Sequence, residues 1–187
     1  MKATFAITIL AAALSTAAFA QEFHRIELKP SSAAEKGQQP LPYTIEVPEG
    51  WQARQVEGYP GLWLGPADAK PPEDPRLIWV RGSQVPLAEP EKVVANIKAN
   101  DEKDATWSAP RVEIRSVGGV RGILIQTLSG EKDKARGSLT LKVPLASVSL
   151  DFIGSAPVAE LPKMLPVYEK ALLSVRPVEA PAGKKQP

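Results

Sequence analysis

Leu139-Thr140-Leu141-Lys142-Val143-Pro144-Leu145-Ala146-Ser147-Val148-Ser149-Leu150-Asp151-Phe152 is the stretch on which the fold turns. Leu139, Leu141 and Val143 alternate with Thr140 and Lys142; Val148, Leu150 and Phe152 alternate with Ser149 and Asp151. Successive side chains of a strand point to opposite faces, so each run carries one apolar and one polar face. Joined by Pro144-Leu145-Ala146, the two runs read as an antiparallel pair with one face buried and the other in water.

Working outward, strand signals dominate. Residues 111–117 and 120–128 flank Gly118-Gly119, a two-residue hairpin signal because both glycines can take positive φ at no steric cost. Tyr43, Ile45 and Val47 alternate with Thr44 and Glu46, and Pro48-Glu49-Gly50 closes that strand as a turn. Leu62-Trp63-Leu64 and Leu77-Ile78-Trp79-Val80 are short apolar runs bounded by Gly and Pro, as central strands are. Another short strand is expected over 23–28. Two helices break the pattern. Pro90 suits a first helical turn, with Val93, Val94 and Ile97 as the apolar face. Later, Val158, Leu161, Leu165, Tyr168 and Leu172 form one stripe. Pro162 and Pro166 each remove an internal hydrogen bond, so the regular helix is expected from near one of them to about Ser174.

The chain opens MKATFAITILAAALSTAAFA: one basic residue, an apolar run, then Ala18-Phe19-Ala20. This is the pattern of a secretory signal, with cleavage expected after Ala20 and the periplasm as the expected destination. The apolar core is too short to remain as a spanning helix. Residues 21–42 then read as an N-terminal strand and a flexible loop, 43–178 as one domain, and 179–187 as a disordered tail. The 187-residue chain has a net charge of +2, of which Lys2 leaves with the signal, so the field used for nucleic-acid binding is missing. With no cysteine, neither a disulfide nor a lipid-attachment site exists.

A half-exposed strand ending in Pro-x-Gly-Trp, short strands, a helix, two hairpins and an amphipathic closing helix follow in order. Tyr43-Thr44-Ile45-Glu46-Val47-Pro48-Glu49-Gly50-Trp51 and the helix ending Leu172-Leu173-Ser174-Val175-Arg176 resemble the PsbP-like superfamily, over residues 43–178. That group includes photosystem II extrinsic proteins and exported bacterial proteins of the DcrB kind. The resemblance implies an α+β fold, a central antiparallel β-sheet flanked by helices on both faces as an α/β/α sandwich. It also implies a module that binds or assembles other proteins rather than an enzyme; the partner expected here is another envelope protein. The bacterial members are typically lipoproteins, and this chain departs from them in lacking the cysteine.

The residues offer little chemistry. His24 is the one histidine and there is no cysteine, so a His/Cys metal site is excluded by count. Glu73-Asp74 and Asp101-Glu102 with Asp104 lack the ligand spacing of a calcium loop and read as solvated charges. No cofactor is expected. Ser129-Gly130-Glu131-Lys132 matches S-x-x-K, but without the accompanying motifs, and it opens a charged hairpin segment. Recognition surfaces remain. Tyr59 and Trp63 flank a turn near Trp51 and suit an interface, whereas Trp51 itself reads as core. Lys132, Lys134 and Arg136 are candidates for contact with an acidic partner. The expectation is thus an exported non-enzymatic binding or assembly module. Its alternatives are a small-ligand carrier with a pocket between sheet and helix and, behind that, a Ser129–Lys132 hydrolase.

Overall fold

In the computed structural model, residues 21–28, 41–101, 106–130, 134–145 and 148–178 are described. The expected signal segment, the expected 30–40 loop and the 179–187 tail lie outside them. In chain order come β1 (Phe23–Glu27), β2 (Tyr43–Pro48), β3 (Trp51–Val56), β4 (Tyr59–Pro66), β5 (Ile78–Ser83) and α1 (Pro90–Asp101). Then follow β6 (Trp107–Val117), β7 (Val120–Ser129), β8 (Arg136–Leu145), β9 (Val148–Pro157), α2 (Leu161–Leu173) and β10 (Arg176–Pro177).

β8 and β9 pair antiparallel from Arg136↔Pro157 to Leu145↔Val148. Pro144 and Leu145, expected in the connection, therefore belong to the strand. Proline is tolerated there because the pairing of β8 with β7 ends at Lys142, so no ladder bond is lost on that side. The alternation then sets everything on this hairpin. Leu139, Leu141, Val143, Leu150 and Phe152 are fully buried in the main core. Ser138, Thr140 and Lys142 face the other way, opposite Ser155, Ile153 and Asp151. The expected water face is only half wet, since Ser149 and Asp151 are buried.

Seven strands form one antiparallel sheet in the order β3-β4-β5-β9-β8-β7-β6, and β1-β2-β10 form a second. The β6–β7 hairpin turns at Gly118-Gly119 with φ of 56° and 84°, as a two-residue turn requires. α2 packs against β8, β9 and β2, which places it between the two sheets. Its buried face is Leu161, Met164, Tyr168, Ala171 and Leu172. Pro162 stands in the first turn and costs no bond there; Pro166 lies inside, and the helix continues through it. Val158, expected on the stripe, precedes the helix and is exposed.

The main core is closed by β2, whose Tyr43, Ile45 and Val47 meet α2 and the large sheet. Tyr43 O–H donates to the Pro144 carbonyl at 2.5 Å and its ring stands edge-on to Phe152 at 6.5 Å. α1 packs on β6 and β7. Its Val93, Val94 and Ile97 meet Ile123 and Ile125, whereas Leu124 between them joins the main core. To reach β6 and β7 from β5, the connection carrying Leu87 must pass over β9 and β8. The architecture is two antiparallel sheets with two helices. The second sheet packs on the α2 side through β2.

The loop between β4 and β5 is pinned by charge. Asp74 accepts from the Arg76 backbone N–H at 2.9 Å and pairs with the Arg76 guanidinium at 2.8 Å. The guanidinium hydrogen bond holds the Asp74 carboxyl below its ordinary range. A depressed folded pKa contributes stability above the unfolded value of about 4 that is lost as pH falls through the folded pKa. Asp74→Asn should lower stability at pH 7, and its difference from wild type should shrink on acidification below about pH 4. Urea midpoints across that range check this; a constant difference would contradict it.

Gly154 of β9 lies under the Tyr168 ring, where a Cβ would come within 2.4 Å of the ring carbons. Gly154→Ala should therefore cost about 1–3 kcal/mol by overpacking. Gly82→Ala, where a Cβ would meet nothing within 4 Å, should stay within about 0.5 kcal/mol of wild type. Equal urea midpoints for the two variants would remove the close-contact argument.

Candidate functional site

Period-two alternation sends Trp63, Trp79 and Arg81 to the face opposite Leu62, Leu64, Ile78 and Val80, which join the main core. Trp63 and Trp79 are cross-strand partners and stack at 5.3 Å with 6° between planes. Tyr59 stands edge-on to Trp63 at 5.9 Å, and the Arg81 guanidinium lies 4.4 Å over Trp79. The Trp79 indole N–H donates to the Pro60 carbonyl at 2.7 Å. Trp63 Nε1 is buried with no acceptor. Aromatic pairs of this kind contribute about 0.5–1.5 kcal/mol beyond their burial, so the tier is rigid.

This tier is one wall of a groove of about 500 Å³. Its floor is the polar face of the β8–β9 hairpin: Ile153 beside Thr140, and Ser155 beside Ser138. Arg136 leans over the far end, donating from Nε to Ser155 Oγ and from Nη2 to the Ser155 carbonyl, both at 3.3 Å. Past the near end, Lys142 and Asp151 form a buried ion pair at 2.5 Å, with Ser149 and Ser83 hydroxyls beside it. A pair this deep adds little net stability, because desolvation offsets the attraction. Pro72 and Asp74 of the β4–β5 loop complete the rim.

Of the residues singled out from sequence, Tyr59 and Trp63 do come together. Tyr59 is 41% exposed and Trp63 only 4%, so Trp63 builds the wall and Tyr59 alone presents a surface. Arg136 is a strand residue on the groove, not part of a loop, because β8 begins at Arg136, ahead of the apolar alternation that starts at Leu139. Lys134 is exposed beside it, and Lys132 lies outside the described residues. Trp51 is buried in the core. Sequence reading missed Trp79, Arg81, Ser138, Thr140 and Ser155 as site residues. The available signal was parity: each occupies the face opposite its strand's core positions.

Of the other motifs, Ser129 lines the groove at the end of β7, opposite Arg136, without the helix start that S-x-x-K chemistry uses. His24 Nδ1 lies 3.2 Å from the Glu49 carboxylate at the second sheet. Asp101 accepts the Ala109 N–H at 2.7 Å. Among the described residues, no His, Cys, Asp and Glu side chains group to hold a metal, and no helix is long and apolar enough to cross a membrane. The groove lies on the face of the large sheet opposite α2, and so is not the pocket between sheet and helix expected for a carrier.

No protein-family model matches the sequence, and no curated protein matches it either. Solved structures do. The solution structure of cyanobacterial PsbP (CyanoP) from Synechocystis sp. PCC 6803 is similar over 89% of this chain and 98% of its own, at 15% identity and a TM-score of 0.51. LpqN of Mycobacterium tuberculosis, described as involved in cell envelope biogenesis, is similar over 83% of this chain and 91% of its own, at 13% identity and a TM-score of 0.55. Likeness at such identity speaks for the arrangement of strands and helices and not for the groove residues. The chain has a PsbP-like fold.

Proposed function

We propose that this chain is an exported, non-enzymatic binding or assembly module of the cell envelope, acting through the groove and Tyr59. The observation that carries the reading is the uneven cover of the large sheet. The β6–β7 end is packed by α1, while β4, β5, β9 and β8 present a rigid aromatic wall over a hydroxyl-lined floor. An exposed tyrosine backed by a stacked tryptophan pair, Trp63 buried and Trp79 half-buried, has the character of an interface anchor. Periplasmic export is supported by the leading segment, and an envelope role by the printed description of LpqN. We read the large sheet as lying between α1 and α2, as the resemblance implies, because Leu124 of β7 and its neighbours Ile123 and Ile125 join different clusters.

Two outcomes are expected. Mass spectrometry of the chain recovered from its own cells should find Gln21 as the N-terminus; retention of Met1 would contradict export with cleavage. A photo-crosslinking side chain at Ser138 should capture a discrete envelope species in living cells that the same probe at Lys163, exposed on α2, does not. Tyr59→Ala should reduce that capture by about fivefold or more, as for an interface anchor. The same adducts from both positions would contradict a groove-centred role.

A further inference from the structure

We infer that the groove is a receptor for a small organic acid, its carboxylate held between Arg81 and Arg136 and its apolar body against Trp79 and Ile153. Register makes the two arginines converge. Arg81 stands opposite Asp151, yet its guanidinium lies over Trp79, which stands opposite Ile153. Arg136 stands opposite Pro157, yet its guanidinium donates to Ser155. Each head thus leans two residues inward, one from β5 and one from β8, over a single stretch of β9. Ile153 and Ser155 are two residues apart, about 7 Å along a strand.

Charge points to the ligand. Among the described residues neither arginine has a carboxylate partner, while the nearby carboxylates are engaged: Asp74 with Arg76 at 2.8 Å and Asp151 with Lys142 at 2.5 Å. Trp63 adds a buried N–H without an acceptor to the same wall. The groove therefore holds surplus donors and two uncompensated cations, flanked by the Ser138 and Thr140 hydroxyls. A planar guanidinium matches a carboxylate in two parallel hydrogen bonds, and such charge-assisted bonds are roughly twice as strong as neutral ones. Stacking on Trp79 holds Arg81 in place beforehand, which limits the ordering cost of binding. A volume of about 500 Å³ lies within the ~300–1,000 Å³ of small-molecule sites. The apolar share of the lining, from Trp79, Leu77, Pro72 and Ile153, suits a compact hydrocarbon body more than a fully hydroxylated one.

The inference rests on the groove being the binding surface, though not on a protein partner. The test titrates residues 21–187 with 2-naphthoate and with its neutral counterpart 2-naphthamide, reading indole N–H resonances by NMR. Naphthoate should shift the Trp63 and Trp79 signals and bind about tenfold or more tighter than naphthamide, the scale of a hydrogen bond to a charged group. Arg81→Gln and Arg136→Gln should each remove most of that preference. Arg81 is exposed, so its variant keeps the fold and decides the matter alone. Equal affinity for the two compounds, no saturable naphthoate binding, or an unchanged preference in Arg81→Gln would overturn the inference. Protein capture at Ser138 without naphthoate binding would overturn it while leaving the module reading standing; the converse result would do the reverse.

Discussion

The ring of Tyr168 rests on bare backbone at Gly154, and this contact sets how closely α2 lies on the large sheet. Its consequences reach the other face. Tyr168 O–H lies within hydrogen-bond reach of the Pro75 carbonyl and, at 3.1 Å, of the Ser155 carbonyl. Burial pushes the phenol well above its ordinary range, which favours the protonated hydroxyl as a donor. Ser155 in turn takes Arg136 on its carbonyl and hydroxyl. One residue of β9 thus links the core helix, the loop that rims the groove and a groove arginine. The site's geometry depends on core packing rather than on loop conformation.

Parity is the second constraint. Along the groove, core positions on β8 and β9 have groove neighbours one residue away: Leu139 beside Ser138 and Thr140, Phe152 beside Ile153. A slip of one residue in the pairing would exchange the two faces, burying hydroxyls and exposing leucines. The core therefore specifies the site. Because the floor consists of residues inside paired strands, it is positioned more firmly than a loop-built site.

The same alternation explains what could be read from the residues and what could not. The β8–β9 and β6–β7 hairpins, β2 and both helices announce themselves by period. β3 does not, since Gln52-Ala53-Arg54-Gln55 carries no apolar alternation. It is an edge strand held by pairing with β4 and by Arg54, which donates to the Ala67 and Ala69 carbonyls. Tyr59 and Trp63 were legible as an aromatic pair near a turn. Their stacking partner Trp79 lies 16 residues past Trp63 and meets it only through the β4–β5 register. Arg136 reads as part of a charged loop until the position of Ser155 across the ladder is known. Site residues contributed by cross-strand neighbours cannot be assembled from local spacing.

The open half of the large sheet, on the side away from α2, is the surface proposed to meet the protein's target. Amide and indole NMR shift mapping of the isotope-labelled chain, before and after addition of a soluble envelope fraction from its own cells, is the decisive measurement. Shifts are expected to be confined to the Trp63 and Trp79 indoles and to Ser138, Thr140, Ile153 and Ser155. Shifts gathered instead on α2 and the β1-β2-β10 sheet would contradict it.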